Sequence, residues 1–436
     1  MIFLIFFLFN LGQLGRISFF NQTINFYLYE IGMSILLFFY FLKLKFTPLK
    51  KILNHKKLIF WGWLYFFLSF FIKIFDYSLF ENIISFLYLL RLFFYFTFFT
   101  YLYFYYQINK KNDLILGFLM FSVLTIIFSF TQFFLYPNLR NLAYLGWDVH
   151  YNRVFGVFFD TSLAASIYGL IFIFWLIILN YNKTEFFKFF LMNNLIKNLS
   201  SFFICHSITK NNIIKNKKIS KKKACFEKSQ RNYNDKIIIN KNILIIFLLV
   251  LLFILLYFTY SRFVIFSFFL TLFLFFLKKS LIKYFFLCSF FLIFLLIFFP
   301  QRSGVGVNLD RFFSIESRIK ENILGIKMGL KNPLFGIGYN RIRFFREKNN
   351  LVWYNEFNIN HGASSFQSTY VTLFVTTGII GIFFFTRGLF YLISYNKKFF
   401  YLIFFVFIAS LADNLLLHPF VIFILGIAKT IFDKKL

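Results

Sequence analysis

The sequence predicts an all-α polytopic membrane protein with about 12 transmembrane helices, and three observations predict it. Charged residues fill only 14% of 436 positions and hydrophobic ones 60%, against about 25% and about 45–50% in an ordinary soluble domain. Mean hydropathy is +0.73. Apolar runs of bilayer-crossing length recur from one end to the other. A chain of this length cannot enclose so much apolar surface by itself. A soluble enzyme, a secreted disulfide scaffold and a disordered tail are therefore excluded.

The apolar windows fall at about 1–18, 24–42, 58–75, 83–106, 114–134, 157–180, 243–260, 263–277, 284–299, 366–385, 399–411 and 414–431, together forming a single membrane domain over 1–436. The first window has no basic n-region and no A-x-A site, so it reads as a retained helix and not as a signal peptide. The connections alternate in character. Lysine crowds Lys43 to Lys57, Lys110–Lys111, the 181–242 segment, Lys278 to Lys283, Arg387 to Lys398 and the tail from Lys429. The others (19–23, 76–82, 135–156, the 261–262 turn, 300–365 and the stretch near Asp413) are polar but poor in lysine. The positive-inside rule assigns the first set to the cytoplasm, and an even number of spans then puts both termini there. The 181–242 stretch is basic, of low complexity and without an apolar stripe, which predicts a disordered cytoplasmic loop drawn to anionic membrane lipid.

Phe occurs 80 times and Tyr 26 times. These residues share AT-rich codons with Ile, Lys and Asn, so codon bias explains the Phe runs better than stacking platforms. The formal charge of +31 reads as cytoplasmic loop charge and not as a nucleic-acid surface. Cys205, Cys225 and Cys288 show no CxxC spacing, so neither a disulfide framework nor a thiolate metal site is indicated.

Lysine and arginine do not share the same places. Arg16, Arg91, Arg140, Arg153, Arg262, Arg302, Arg311, Arg318, Arg341, Arg343 and Arg346 all lie in outer connections or within spans, which is 11 of 13 arginines. The outer acids Asp310, Glu316, Glu321, Glu347 and Glu356 are too few to neutralise them. Arginine's rigid fork suits phosphate or carboxylate, so an anionic ligand reached from the outer face is expected. Arg262, in the turn Thr259-Tyr260-Ser261-Arg262, stands at the membrane boundary, either snorkelling or facing a polar cavity. Glu30 and Arg91 lie in the outer halves of their spans and can pair. Arg153 and Asp160 flank the outer mouth of the sixth span.

The 300–365 loop is the one large outer segment. Ser314 can cap a helix over 315–330, with Ile319, Ile323, Ile326 and Leu330 on one face at spacings of 4, 3 and 4. Arg318 and Asn322 fall off that stripe. This describes a surface helix with arginine turned to a cavity. The tight turn Pro333-Leu334-Phe335-Gly336-Ile337-Gly338 follows it. His361 precedes the tenth span and is a histidine able to exchange protons near neutral pH.

These segments together resemble the O-antigen ligase/polymerase family. The run SRIKENILGIKMGLKNPLFGIGYN (317–340), the later TTGIIGIFFF (376–385), the Ser-Arg turn in TYSRFVIFSF (259–268) and NRVFGVFFDTSLAASIYGL (152–170) carry the resemblance, which covers about 150–385. It implies a membrane glycosyltransferase of the C class. Such an enzyme works on the periplasmic face and needs no metal or other cofactor. It moves or polymerises undecaprenyl-diphosphate-linked O-antigen units for lipopolysaccharide or another polysaccharide. The donor is the lipid-linked glycan, the acceptor is a glycan or lipid A–core, and a chain-length regulator is a further partner.

Residue by residue, the resemblance makes Arg262 and Arg318 the catalytic arginines on the diphosphate. The family often has His-Asn about eleven residues before the first glycine of G-x-x-G. Counting back from Gly378, that slot holds Gln367-Ser368, and His361 lies six residues earlier. His361 is thus the candidate general base, with Glu356 behind it, and Gln367 a hydrogen-bonding substitute. Arg153 and Arg91 are further substrate-binding candidates. The looser pattern favours polymerase over ligase. Direct displacement by an acceptor hydroxyl would invert the anomeric configuration. No DxD pair and no His/Asp cluster of ligand spacing stands in the sequence. The rival reading is a flippase or transporter of lipid-linked oligosaccharide, which would want charges in both halves of the bundle. A peptidoglycan-polymerising enzyme of similar architecture is a third reading.

Overall fold

The computed structural model describes residues 1–181, 244–278, 312–351 and 364–433, except 21, 56, 109–111, 146 and 397, together with 282, 286 and 289. Most of the ninth apolar window, most of the 181–242 loop and the flanks of the 300–365 loop lie outside the described residues. The chain falls into two compact units, Met1–Ile173 with Leu252–Leu436, and Phe174–Leu251. The site and its supports belong to the first.

The fold is helical, in keeping with an all-α membrane protein. In chain order the elements are α1 (Ile2–Phe9), β1 (Arg16–Phe19), β2 (Ile24–Tyr27), α2 (Leu28–Leu44), α3 (Thr47–His55), α4 (Lys57–Ile72), α5 (Leu79–Ile108), α6 (Asn112–Leu135) and α7 (Thr161–Tyr181). After them come α8 (Leu244–Phe258), α9 (Arg262–Lys278), α10 (Phe312–Leu330), α11 (Ile342–Lys348), α12 (Thr369–Tyr395), α13 (Phe399–Ala409) and α14 (Pro419–Phe432). Among the described residues, four helices are long and apolar enough to cross a bilayer: Leu79–Tyr106, Asn112–Leu135, Thr161–Asn180 and Thr369–Phe390. Shorter apolar helices accompany them at Leu244–Phe258, Arg262–Leu277, Phe399–Ala409 and Pro419–Phe432.

The first apolar window departs from its expectation as one helix over 1–18. Helix α1 has 8 residues, about 12 Å of rise, against a hydrocarbon core of about 30 Å. Asn10 ends it, its side-chain amide donating back to the carbonyl of Phe6 at 3.0 Å. Gly12 then turns the chain at φ +52°, where an added Cβ would meet the Val157 carbonyl oxygen at 2.4 Å. Strands β1 and β2 follow as an antiparallel hairpin with Arg16 opposite Tyr27. A hydropathy window averages over Asn10, Gly12, Gln13 and Arg16 and so runs past this break.

Phenylalanine fills the interior. Phe9 stacks on Phe423 with centroids 4.5 Å apart and meets Phe121 and Phe420 edge-on at 5.2 and 5.1 Å. Those contacts join α1, α6 and α14. Whatever set the codon usage, such offset and edge-on pairs add to the apolar burial.

Helix α10 begins at Phe312, two residues before the expected cap at Ser314. Its three faces meet three surroundings. Ile319, Ile323, Ile326 and Leu330, the stripe expected to meet the membrane surface, are exposed. Gly325 and Gly329 lie against Val371, Phe366 and Phe374, where a Cβ would come within 2.4–2.5 Å of a side chain. Arg318 and Asn322 take the remaining face.

The glycine turn after α10 docks into a break in α12. At Gly378 the backbone is non-helical, with φ +68° and ψ −170°. The break exposes carbonyls, and the turn uses them. Ile337 and Gly338 donate to the carbonyls of Val375 and Thr376 at 2.9 and 3.0 Å, and Ile379 donates to that of Pro333 at 2.9 Å. The Tyr65 hydroxyl reaches the carbonyls of Leu334 and Thr377 at 2.8 and 2.6 Å. The two glycine motifs are therefore the two halves of one joint.

Candidate functional site

The 152–160 segment is held by Gln132 on α6. Its amide oxygen accepts from the backbone N–H groups of Phe155 and Gly156, both at 3.0 Å, and its amide nitrogen donates to the Arg153 carbonyl at 3.3 Å. Gly156 adopts φ +56° beside the Tyr168 hydroxyl. Asp160 then caps α7, accepting from Ser162 and Leu163 N–H at 2.7 and 3.1 Å.

The Ser-Arg turn joins α8 to α9 and is tied to this segment twice. Val154 N–H donates to the Phe258 carbonyl at 2.9 Å, and Arg153 Nε donates to the Thr259 carbonyl at 2.9 Å. Arg153 is buried, with Nη1 3.5 Å from His150 Nδ1. It braces the turn that carries Arg262. The Ser261 hydroxyl lies 3.5 Å from that of Ser162, so the N-termini of α7 and α9 meet.

Arg318 completes the site from α10. Its Nη1 donates to Asp413 Oδ1 at 2.9 Å and to the Ala412 carbonyl at 3.1 Å. Asn322 Oδ1 accepts from Ser368 N–H at 3.3 Å. Burial works against the Arg318 charge, yet Asp413, with Asp160 and Asp148 beyond, outweighs it and holds the guanidinium above its ordinary pKa. Burial raises the Asp413 carboxyl, with Arg318 opposing. Burial, then the nearby Asp160, raises Asp148 as well.

These groups line one cavity of about 830 Å³. Arg153, Arg262, Arg318 and Gln367 share it with Asp148, His150, Asp160 and Asp413. Two helix N-termini add partial positive charge to the three guanidinium groups. The expectation that acids are too few fails here. Three aspartates face three arginines, because Asp148, Asp160 and Asp413 stand in short connections outside the loop whose acids were weighed. A lone carboxylate between two apolar stretches, such as Asp413, was the available signal, since it needs a cationic partner. His150 was likewise visible in the sequence, with nothing to place it beside Arg153.

The other arginines divide. Arg91 does not join the set. Its Nε donates to Glu30 Oε1 at 2.6 Å, the pairing open to the two from sequence, and it lines a second cavity. Arg341 is wholly buried, donating to the Phe70 carbonyl and to Asn82 at 3.0 and 2.5 Å. Arg343 donates to the Thr23 carbonyl at 3.1 Å, and Arg346 pairs with Glu321 at 2.8 Å. These three fasten α11 and its neighbours. Arg140 lies over Tyr151 at 4.6 Å. His361, Glu356, Arg302 and Arg311 lie outside the described residues. Among the described residues, no group of three or more His, Cys, Asp or Glu side chains is placed to hold a metal ion.

Residues 247–386 match the family model described as O-antigen ligase. Over that stretch the chain is similar to an O-antigen ligase domain. The match spans the Ser-Arg turn, α10, the glycine joint and the broken α12, and supports an O-antigen ligase/polymerase family. With the apolar helices, it supports a membrane protein of the O-antigen ligase/polymerase type of glycan processing. The 152–170 stretch falls outside the matched residues, although the structure ties it to them through Arg153 and Val154. No curated protein and no solved structure matches this chain.

Proposed function

We propose that this protein is an inverting glycosyltransferase of the bacterial inner membrane, acting at its periplasmic face with both termini in the cytoplasm. It moves or polymerises glycan units carried on undecaprenyl diphosphate, with polymerase favoured over ligase. The observation that carries this reading is the sharing of one cavity by Arg262 and Arg318, both within the stretch matched to the O-antigen ligase family.

The chemistry follows from charge. An acceptor hydroxyl oxygen bonds to the donor's anomeric carbon. The bond from that carbon to the diphosphate oxygen breaks, and negative charge gathers on the leaving diphosphate. Arg318, held by Asp413, and Arg262 line the same cavity and meet that charge there. Arg153 acts on them indirectly by bracing the Ser-Arg turn. The hydroxyl proton passes to a base. His150, Asp148 and Asp160 line the cavity and supply candidates beside His361. Gln367 can hold a sugar or phosphate oxygen.

Separate complementation of polymerase-deficient and ligase-deficient hosts tests the reading by the ladder of surface glycans. Restored long chains indicate polymerase, and restored attachment indicates ligase. Restoration of neither, with the protein present in the membrane, rejects both.

A further inference from the structure

A second cavity, of about 290 Å³, lies in the same unit as the first. The same segments wall both. Trp147 lines the second cavity and Asp148 the first; Ser365 the second and Gln367 the first; Asn414 the second and Asp413 the first. Chain neighbours thus look to opposite sides of a wall only a residue or two thick.

The second cavity has a different chemistry. Its cations are largely committed. Glu30 takes Arg91 Nε and the Tyr95 hydroxyl on one oxygen, both at 2.6 Å, and the Tyr27 N–H on the other at 3.0 Å. Arg16 donates to Gln22 at 3.2 Å and lies 4.9 Å over the Trp147 ring. His418 Nδ1 accepts from the Phe420 N–H at 3.4 Å. What the walls do offer is a mixed set of donors and acceptors. Gln13 Oε1, Arg91 Nη2 and Asn340 Nδ2 are buried and have no hydrogen-bond partner in the protein. A buried polar atom without a partner is costly, and three on residues lining one cavity call for a polar ligand. Tyr27, Tyr88 and Trp147 supply amphipathic ring surface beside them.

We propose that this second cavity binds one or two sugar rings of the acceptor glycan. A pyranose presents a C–H face to an aromatic ring and a belt of hydroxyls that both donate and accept, and it carries little or no charge. That matches ring walls, an amide oxygen, an amide nitrogen and a neutralised arginine. A phosphate would want uncommitted cations, and a lipid tail would leave the three polar atoms unsatisfied. The volume stands near the low end for small-molecule sites, room for about two rings. The proposal rests on the reading of the first cavity as the donor diphosphate site, and places acceptor sugar across the shared wall from it.

The test uses the full chain in lipid nanodiscs and two probes. One is the lipid-free oligosaccharide mixture released by mild acid from the host's own surface polysaccharide. The other is sugar-free undecaprenyl diphosphate. Gln13→Leu and Asn340→Leu are expected to weaken oligosaccharide binding by about tenfold and to leave carrier binding unchanged, with Arg262→Lys and Arg318→Lys doing the reverse. Unchanged oligosaccharide binding in both Leu variants overturns the proposal, as does a wild-type protein that binds no oligosaccharide. Carrier binding indifferent to both lysine variants defeats the donor-site reading instead, while loss of oligosaccharide in the Leu variants still upholds the sugar site. Should a Leu variant lose both ligands through misfolding, Ser365→Trp, which fills the cavity, decides: oligosaccharide lost with carrier retained supports the proposal, and oligosaccharide retained overturns it.

Discussion

Arg318 holds Asp413 at 2.9 Å and the carbonyl beside it at 3.1 Å, so one guanidinium nitrogen bridges a side chain and the backbone of the connection between α13 and α14. The contact orients the fork while drawing off part of its charge. Arg318→Lys keeps the charge and loses the fork. Turnover is expected to fall about 100-fold, in the range seen when one preorganised donor is removed. Near-normal turnover of lipid-linked donor by the lysine variant, measured in reconstituted membranes, would sink the assignment.

Asp413→Asn separates orientation from charge. The cavity's balance of three arginines and three aspartates shifts by one positive unit, so undecaprenyl diphosphate should bind more tightly, by about 1 kcal/mol or roughly fivefold. Turnover should drop because the fork is no longer aimed. A carrier titration alongside a rate measurement checks both directions, and weaker carrier binding would contradict the charge argument.

Much of this was legible beforehand. The stripe Ile319, Ile323, Ile326 and Leu330 announces a surface helix because a period of 3.6 shows in the sequence, and all four residues are exposed. Arg262 and Arg318 stood out among eleven arginines of outer connections or spans because the Ser-Arg turn and the helix before the glycine turn resemble those of the O-antigen ligase/polymerase family. What the sequence could not carry was partnership across long separations. Nothing local to Asp413 names Arg318, nothing near Gln132 names Phe155, and nothing near Gly336 names Thr376. The hairpin at 16–27 was hidden for another reason, since hydropathy averages over Asn10 and Gly12 and misses the backbone break they make.

The glycine joint gives a stability prediction with an internal control. Gly378→Ala places a Cβ 2.2 Å from the Leu334 carbonyl oxygen at a φ of +68°, so both space and conformation oppose it. A loss of more than about 2 kcal/mol is expected, seen as a lowered unfolding midpoint in detergent. Gly388→Ala lies in the same helix with nothing within 4 Å of the added Cβ and should be neutral. Equal behaviour of the two would refute the docking account.

Acidity should strengthen donor binding. Asp148 and Asp413 both titrate above the usual carboxylate range, each chiefly through burial. They share the cavity with Asp160, His150, Arg153, Arg262 and Arg318. As pH falls towards their raised pKa values they take up protons, the cavity becomes more positive, and a glycan-linked diphosphate keeps its charge. The donor KM should therefore fall as the pH drops towards those raised values, reversing the usual expectation that carboxylates help. Asp148→Asn should flatten part of that slope. A KM that rises on acidification in the wild type would contradict the sign.

Gln132 offers the sharpest probe of the second-rank supports. Its one amide ties Phe155, Gly156 and the Arg153 carbonyl, and Arg153 in turn ties the Ser-Arg turn at Thr259. Gln132→Leu keeps the size of the side chain and leaves two backbone N–H groups unsatisfied, a cost of about 1–3 kcal/mol each. The expected result is a lower unfolding midpoint with turnover reduced about tenfold or more, because His150 and Arg262 lose their common brace. Gln132→Glu retains an acceptor for both N–H groups and should recover most of the stability. If Gln132→Glu and Gln132→Leu prove equally unstable, the two N–H bonds are not what holds this segment, and the coupling from α6 to the cavity must run through apolar packing alone.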